Sequence, residues 1–371
     1  MRRGSRQRRQ DSAGYSAEMR VFIELSQDVD AASWGEKNAR GLAPDATPYG
    51  LHRLEDHGHR VRFAPPVRTP FVRRLGEVTS GRLWGLQPVR ATAAAVDAAR
   101  PSADVVLCMD ERNGVPAALS PSSTPVVTGV AWLEDPAELS PAYRAVAALA
   151  LKRASAVFVE CSAMIEPLVH GFGVPAEKIH FVTLGIDDEH FAPAEQPPIR
   201  QRVFSVGDDR MRDYSTLVGA LHRVHEQRPG LTAEVATTLP VELPQKWAHI
   251  HRRRMDQEVK GCYQRAEVVA LALRPTRQGS GLTVILEAMA SGRPVVVTDN
   301  PGLSDYVEHG VTGLLVPAKD PGAMADAIDA LLADPGRAAA MGREGRRRVE
   351  GHFTTAHMAD DLASVLCDAV R

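Results

Sequence analysis

The residues best suited to chemistry lie in a short stretch of the C-terminal half of the chain. Gly279 to Gly281 form a glycine-rich loop, and the strong helix formers of residues 282–291 follow it directly. A glycine loop that leads into a helix directs free backbone N–H groups and the positive end of the helix dipole toward one point. The spacing therefore predicts a phosphate site at the start of this helix.

An acidic residue lies on the same predicted helix. Glu287 comes four residues after Thr283, so it lies one turn further along the same face. A carboxylate in this position can accept hydrogen bonds from a sugar diol, as an acidic residue does for ribose in dinucleotide folds. The β-branched run Val295 to Val297 then predicts a buried strand. An ordinary loop-helix-strand unit without a ligand is the alternative interpretation.

The N-terminal half offers two smaller groups of candidate residues, each after a predicted strand. Asp110 and Glu111 come just past the strand predicted for residues 104–108, at the strand end where α/β sheets bind ligands. Asp110 suits either an acceptor hydroxyl or a helix cap. Trp132 and Glu134 follow the next strand, and the tryptophan can either stack on a sugar ring or cover the core.

The elements that must position these residues alternate between strand and helix, which predicts two α/β units with mostly parallel sheets. The predicted elements include helices at residues 49–57, 82–100 and 162–170 and a buried strand at residues 267–273. The chain has 371 residues, enough for two domains of ordinary size. We expect a disordered basic tail at residues 1–18, one domain at 19–195, a second at 196–352 and a terminal helix at 353–371.

Composition narrows the class of protein. Charged residues make up 24% and apolar residues 44%, and the net charge of −2 gives no overall field that would attract nucleic acid. The four cysteines lack metal-ligand spacing, which favours reduced thiols in a cytoplasmic protein without a bound metal. We find no apolar stretch long enough to span a bilayer. Usage rich in alanine and arginine fits a bacterial source.

The segment GLTVILEAMASGRPVVVTD, with SDYVEHGVTGLLVPAKDP shortly after it, resembles the donor-binding signature of retaining GT-B glycosyltransferases of family four. This resemblance implies two Rossmann-like domains that face each other across a cleft, with the last helix packing back on the first domain. It also implies that the domain at 19–195 binds the acceptor and the domain at 196–352 binds the nucleotide sugar. The family signature contains two glutamates. Glu287 matches the second, whereas Gly279 stands near the place of the first. Ala131 is the nearest counterpart of a histidine that is frequent in the family.

The resemblance also implies roles for residues outside that segment. In SVGDDRMRDYSTL, one glycine and two arginines take the places of the family residues that grip the donor pyrophosphate, and an arginine fork suits phosphate. Exposed arginines beside aspartates are the alternative. The expected donor-binding residues are Gly50, Gly207, Arg210, Arg212, Gln278, Gly279, Ser280, Gly281, Leu282, Thr283 and Glu287. The expected acceptor-binding residues are Asp110, Glu111, Trp132 and Glu134, and the expected catalytic residues are Arg210, Arg212 and Asp110.

The function that the resemblance implies is transfer of a sugar from a nucleotide diphosphate sugar to an acceptor hydroxyl, with retention at the anomeric carbon and without a metal or other cofactor. The acceptor is expected to be a small molecule, a glycan or a lipid-linked molecule. The arginine clusters 252–254 and 346–348 are solvated faces or peripheral membrane contacts. A noncatalytic sugar-nucleotide-binding subunit that supports a partner enzyme, and a GT-B sugar-nucleotide epimerase, are the alternative functions.

Overall fold

Two six-stranded parallel sheets form the framework of the protein. The computed structural model describes residues 18–25, 29–65, 74–75, 78–79, 82–88, 92, 103–255 and 258–371. The predicted basic tail, apart from its last residue, and most of a helix predicted for residues 82–100 lie outside the described residues. The two parallel sheets with their helices confirm the predicted α/β class of two Rossmann-like units.

The first sheet has the strand order β2-β1-β3-β4-β5-β6. Its strands are β1 (Arg20–Glu24), β2 (Arg60–Phe63), β3 (Val105–Cys108), β4 (Val126–Val130), β5 (Ala156–Val159) and β6 (Ile179–Phe181). The central strands β3, β4 and β5 are buried along their whole length. Their unbroken apolar runs match what a parallel sheet covered on both faces requires.

The second sheet has the strand order β12-β11-β10-β7-β8-β9. Its strands are β7 (Arg202–Val206), β8 (Thr232–Ala236), β9 (Ala248–His251), β10 (Val268–Leu271), β11 (Val295–Thr298) and β12 (Gly313–Val316). The valine run of β11 pairs with β10 on one side and β12 on the other, and all four of its residues are buried. This agrees with the buried strand predicted there.

Helices cover both sheets. They are α1 (Ala31–Asn38), α2 (Glu111–Leu119), α3 (Pro141–Arg153), α4 (Tyr214–Gln227), α5 (Glu258–Arg265), α6 (Leu282–Ala290), α7 (Pro321–Ala333), α8 (Pro335–His352) and α9 (Thr355–Val370). Side-chain oxygens cap several of them at the N-terminus, including Asp213 for α4 and Asp320 for α7. In the part of the chain that the structure describes, no helix has both the length and the apolar character to cross a membrane.

Two predicted helices differ from the structure. The helix expected from Tyr49 to His57 is a 3-10 helix, Pro48–His57, in which Tyr49 and Gly50 take left-handed φ angles of 57° and 64°. The helix expected for residues 162–170 is broken into the 3-10 turn Ser162–Met164 and the π turn Pro167–Gly171. Pro167 has no backbone N–H to continue an α-helical hydrogen-bond series, which accounts for the break.

The C-terminal helix α9 packs against the first sheet and its neighbours, although it follows the second sheet in sequence. The Arg53 Nε donates to the Thr355 Oγ1 at 3.1 Å. The Ile186 N–H donates to the Phe353 carbonyl at 2.8 Å, and the Thr355 N–H donates back to the Ile186 carbonyl at 3.1 Å. These bonds fix the start of α9 to residues of the N-terminal half.

The glycines of α8 allow a sharp test of how closely this helix must approach α6. A Cβ at Gly342 would lie 2.1 Å from the carbonyl oxygen of Gly292, whereas a Cβ at Gly351 would meet nothing within 4 Å. We expect Gly342→Ala to lower the free energy of unfolding by about 1–3 kcal/mol through overpacking. Gly351→Ala in the same helix should raise it by about 0.4–1 kcal/mol. Urea denaturation measures both, and equal stabilities would contradict the close packing of α8 on α6.

Candidate functional site

A cavity of about 640 Å³ lies between the two sheets, at the carboxyl ends of their strands. Loops after β3, β4 and β5 line it on one side, and loops after β7, β9 and β10 line it on the other. This is the edge where parallel α/β sheets bind ligands. The predicted site residues that line the cavity are Asp110, Trp132, Gly207, Arg210, Arg212, Gln278, Gly279, Ser280, Gly281, Leu282 and Thr283.

The Arg212 guanidinium is buried between two glycines, with only 7% of the residue exposed. A Cβ at Gly207 would lie 1.9 Å from the Arg212 Nε, and a Cβ at Gly281 would lie 3.0 Å from its Nη1. Both glycines also have positive φ angles, 144° and 84°, which disfavour other residues. The predicted glycine loop and the predicted cation therefore meet at one point, although 68 residues separate Arg212 from Gly281 in the sequence.

Backbone hydrogen bonds hold the Arg212 segment against the end of β10. The Asp213 N–H donates to the Ala272 carbonyl at 3.0 Å, and the Arg274 N–H donates to the Met211 carbonyl at 2.8 Å. The Asp209 Oδ2 lies 3.2 Å from the Arg212 Nε and balances part of its charge. The Arg212 Nη1 has no hydrogen-bond partner among the described residues. Because buried polar groups are normally bonded, this donor is suited to an anionic ligand in the cavity.

The start of α6 adds a second source of positive potential. Its N-cap is Gly281, which has no side chain to cap the first N–H groups of the helix. The Ser280 Oγ donates to the Asp209 Oδ1 at 3.1 Å, so the loop before the helix and the Arg212 segment are linked. The helix dipole and the buried arginine thus act on the same part of the cavity.

Gln278 connects the two halves of the molecule. Its side-chain Nε2 donates to the carbonyls of Trp132 and Leu133 at 2.9 and 3.1 Å, and its Oε1 is buried without a partner in the described structure. A side chain at the adjacent Gly279 would have to push Leu282 aside, because a Cβ there would lie 2.6 Å from the Leu282 Cδ1. Because the Nε2 is already bonded to two carbonyls, the Oε1 is the atom of Gln278 that can contact a donor sugar. This contact stays a prediction.

Arg210 lies at the rim of the cavity and forms an ion pair with Glu134 of the N-terminal half. Its side chain is 59% exposed, in contrast to that of Arg212. Arg277 and Glu166 make a similar contact at 2.7 Å. Exposed pairs of this kind contribute little stability, so Arg210 is free to exchange Glu134 for an anionic ligand.

Four predicted site residues lie outside the lining of this cavity. Gly50 packs against the start of α9, where its Cβ would lie 2.5 Å from the Thr355 Cβ. Glu134 occupies the rim pair with Arg210. Glu287 accepts a hydrogen bond from the Tyr263 hydroxyl at 2.7 Å, and burial raises the pKa of Glu287 to about 7. It lies one helical turn beyond Thr283, which does line the cavity.

The fourth, Glu111, lies beneath the loop that follows β4. Its Oε2 accepts hydrogen bonds from the backbone N–H groups of Ala131 and Trp132 at 2.9 and 3.2 Å. Burial, and secondarily the charge of Asp110, raise the pKa of Glu111 to about 7. Asp110 caps α2 by accepting from the Arg112 N–H at 3.0 Å and also lines the cavity. Glu111 thus supports the loop that presents Trp132.

Glu160 is a further candidate site residue that was not expected from the sequence. It follows β5 directly and lines the cavity beside Asp110 and Ala131. Strand register explains this position. Val130 of β4 pairs with Val159 of β5, so the residues that follow them, Ala131 and Glu160, lie side by side. Burial, with the charge of Asp110 as a smaller cause, raises the pKa of Glu160 to about 7. Its place just past a parallel strand, like that of Asp110, is the signal that could have identified it.

A group suited to a metal lies elsewhere. Within the described residues, Glu234, His251 and Cys262 bring their ligand atoms within 4.8 Å of one another. None of the three lines the 640 Å³ cavity. The sequence spacing gave no indication of this group because its members come from two strands and a helix.

Comparison with solved structures defines the class of protein. The chain is similar to Anabaena HepE, solved in complex with UDP and glucose, with a TM-score of 0.69 at 18% identity over 94% of this chain and 99% of that chain. It is similar to sucrose-phosphate synthase of Thermosynechococcus elongatus, with a TM-score of 0.70 at 18% identity over 93% and 98% of the two chains. The protein therefore has the predicted GT-B fold.

Sequence comparison finds relatives of the C-terminal half in particular. Residues 201–334 match the model of the family Glycosyl transferases group 1. D-inositol 3-phosphate glycosyltransferase of Kribbella flavida is 30% identical over 214 residues, which are 50% of each chain. A GDP-mannose-dependent alpha-(1-6)-phosphatidylinositol monomannoside mannosyltransferase of Mycobacterium tuberculosis is 29% identical over 53% of this chain and 57% of its own. The chain thus spans about half the length of these curated relatives.

The two glycines beside Arg212 generate a prediction about anion binding. An alanine at position 281 would place its Cβ 2.6 Å from the Leu271 Cδ2 and 3.0 Å from the Arg212 Nη1. We expect Gly281→Ala to weaken pyrophosphate binding about tenfold or more, because a hydrogen bond to a charged group contributes about 1.5–3 kcal/mol. Isothermal titration calorimetry measures this loss.

Gly310→Ala is the matched control for this substitution. Its φ of 80° is close to the 84° of Gly281, but a Cβ at Gly310 would meet nothing within 4 Å. Both variants carry the strain of a left-handed alanine, about 1–2 kcal/mol, and only Gly281→Ala displaces Arg212. Equal pyrophosphate affinities in the two variants would rule out Arg212 as the anion contact.

Proposed function

We propose that the protein transfers a sugar from a nucleotide diphosphate sugar to an acceptor hydroxyl. The observation that carries this proposal is the buried Arg212, which presents its Nη1 without a partner in the described structure beside the uncapped start of α6. Two positive sources at one point suit the two phosphates of a donor. The opposite wall of the cavity presents Asp110, Trp132 and Glu160 to the acceptor.

The comparisons support this proposal without fixing the substrates. The similar proteins are named as transferases of sugars to inositol 3-phosphate or to a phosphatidylinositol mannoside. One similar structure contains UDP and glucose, and one relative is described as GDP-mannose-dependent. We therefore take uridine, guanosine and thymidine diphosphates as the donor nucleotides to be tested. We further propose that Glu287 holds the donor ribose, with its orientation fixed by the Tyr263 hydroxyl.

The proposed mechanism proceeds with retention and without a metal at the diphosphate. The negative charge that grows on the leaving group would be met by Arg212, by Arg210 after it leaves Glu134, and by the start of α6. The chain has one Asp-x-Asp pair, Asp28 and Asp30, and the Asp30 side chain caps α1. We also propose a cytoplasmic location, which the free thiols of Cys108, Cys161 and Cys262 support.

The decisive test of the function is donor binding and turnover by the isolated chain. We expect one of UDP, GDP and dTDP to raise the melting temperature, because a ligand that binds only the folded state stabilises it. The matching nucleotide sugar should then be hydrolysed slowly. Arg212→Ala should weaken diphosphate binding about ten- to a hundredfold and nucleoside binding little. Arg228→Ala, which removes a pair with Asp329 outside the cavity lining, is the control.

Two outcomes would redirect the proposal. Binding of a nucleotide sugar without any turnover, with or without candidate acceptors, would favour the noncatalytic subunit. Equal losses of diphosphate and nucleoside affinity in Arg212→Ala would place the pyrophosphate elsewhere.

The mechanism has its own test. We expect full activity in excess chelator and a product with the same anomeric configuration as the donor, which proton NMR of the product reports. An inverted product would overturn retention. Loss of activity in chelator that magnesium or manganese restores would overturn the metal-independent mechanism, even if sugar transfer itself is correct.

We propose that Glu160 accepts a hydrogen bond from the acceptor hydroxyl, and this generates a prediction with a defined sign. The pKa of Glu160 is raised to about 7, so the side chain is mostly protonated below that pH and becomes a carboxylate above it. A carboxylate is the better acceptor, so kcat/KM should rise as pH increases through about 7 and then level off. Glu160→Gln should remove this step and leave the affinity for the nucleotide diphosphate unchanged. A pH profile identical to that of wild type would exclude Glu160 from the reaction.

A further inference from the structure

Three side chains of metal-ligating type meet at the outer edge of the second sheet. Glu234 lies in β8, His251 ends β9 and Cys262 lies in α5. The Glu234 Oε1 is 2.8 Å from the His251 Nε2 and 3.2 Å from the Cys262 Sγ. Glu234 and Cys262 are buried and His251 is partly buried. A carboxylate within hydrogen-bond distance of both an imidazole and a thiol, with all three ligand atoms within 4.8 Å of one another, is the kind of donor set that binds transition metals.

The fold brings the three together in a fixed way. In the parallel pair of β8 and β9, Glu234 lies opposite His249 and Ala236 lies opposite His251. Successive side chains of a strand alternate between faces, so Glu234 and His251 share one face of the sheet. Helix α5 places Cys262 over this face, within reach of the Glu234 Oε1. The group is therefore held by two paired strands and a helix, and its geometry does not depend on a loop.

We propose that Glu234, His251 and Cys262 form a binding site for a divalent transition metal, with zinc as the preferred ion. Tetrahedral zinc has ligand distances of about 2.0–2.3 Å, which puts neighbouring ligand atoms roughly 3.4–3.6 Å apart. To admit the ion, the Glu234 Oε1 would have to move about 0.6 Å away from the His251 Nε2 and about 0.4 Å away from the Cys262 Sγ. A thiol and an imidazole favour zinc over magnesium or calcium, which prefer oxygen ligands.

The surroundings of the group suit this assignment. The Arg202 Nη1 lies 3.2 Å from the Glu234 Oε2, which orients the carboxylate so that Oε1 faces the other two ligands. A cleft of about 320 Å³ lined by all three residues gives the ion a path from solvent and leaves room for a water as fourth ligand. The Arg265 Nη2, 3.7 Å from the Oε1, belongs to a side chain that is 47% exposed and can turn into solvent.

Binding has a defined proton balance. The metal takes the lone pair of the His251 Nε2, so the imidazole carries its proton on Nδ1. The Cys262 Sγ binds as a thiolate, so one proton leaves the thiol for solvent as the bond to the metal forms. The ionised Glu234 carboxylate donates a lone pair without a proton change. One proton is therefore released for each ion bound.

The site is structural rather than catalytic. Its three residues do not line the 640 Å³ cavity, but Arg253, Arg254 and Met255, which do, lie in the connection from His251 to α5. A metal that joins β8, β9 and α5 would fix both ends of this connection. We therefore expect the metal to raise the melting temperature and to leave turnover at ambient temperature unchanged.

The test is a titration of the full chain, free of affinity tags and stripped with chelator, with Co²⁺. Binding of one Co²⁺ per chain should produce the intense thiolate-to-cobalt absorption band and the visible bands of tetrahedral cobalt. Binding of Co²⁺ to the stripped chain should release one proton per ion in weakly buffered solution. Zn²⁺ should then displace the cobalt and abolish both sets of bands without further proton release. The melting temperature should be higher with Zn²⁺ than with chelator.

Substitutions test whether the cobalt absorption bands arise from Glu234, His251 and Cys262. Cys262→Ser should abolish the charge-transfer band, and His251→Gln should lower the Co²⁺ affinity by more than the roughly 10–100-fold that loss of a surrounding group costs. Cys367→Ser and His180→Gln change the same residue types outside the group and should bind like wild type. If Cys262→Ser does not fold, the Co²⁺ affinity of His251→Gln decides the question. No thiolate band in the wild-type chain, a band that persists without Cys262, or an unchanged Co²⁺ affinity in His251→Gln would overturn the proposal.

Discussion

The burial of one guanidinium constrains the whole candidate site. Removing a charge from water costs several kcal/mol unless partners replace the lost solvation. Asp209 replaces only part of it for Arg212, because the Nη1 has no hydrogen-bond partner in the described structure. Gly207 and Gly281 leave the space in which the guanidinium lies, and backbone hydrogen bonds hold the Arg212 segment against the end of β10. A bound diphosphate would supply the anionic partner that the Nη1 lacks. Its binding would therefore offset part of the free energy that burial of the arginine costs.

The contacts between the two halves of the molecule differ in strength in a way that matters for ligand entry. Gln278 makes a buried pair of hydrogen bonds to the loop after β4, whereas the Arg210 and Arg277 ion pairs are exposed. Buried hydrogen bonds to backbone carbonyls are costly to leave unmade, and exposed ion pairs are cheap to separate. Opening of the cavity is therefore resisted at Tyr306, whose buried hydroxyl accepts from the Leu184 N–H at 2.9 Å and donates to the Glu160 carbonyl at 2.6 Å. It is also resisted at Gln278, one residue before the glycine loop. Movement of the two halves and the position of that loop are thereby coupled.

What the sequence predicted well was local in the chain. The β-branched runs of β10 and β11, the helix α6 and the glycine loop before it depend on neighbouring residues, so their pattern was readable. What could not be predicted depends on contacts between distant residues. Gly50 packs on Thr355 and Glu111 accepts from two backbone N–H groups, so the donor contact expected of Gly50 and the acceptor contact expected of Glu111 stay predictions. Glu160 and the Glu234 group needed strand register to be found, which no single segment contains.

The distribution of charge across the cavity gives the arrangement a direction. The C-terminal half contributes the cations Arg210, Arg212, Arg253 and Arg254 against the carboxylates of Asp208 and Asp209, whereas the N-terminal half contributes Asp110 and Glu160 against Arg112. The excess of cations on the C-terminal wall orients a ligand with its anionic end toward that wall and its hydroxyl groups toward the other. Gly279 fits this division, because a side chain there would have to push the Leu282 side chain aside. In the proposed reaction, the carboxyl group that meets the acceptor hydroxyl is therefore the one at the end of β5, on the N-terminal wall.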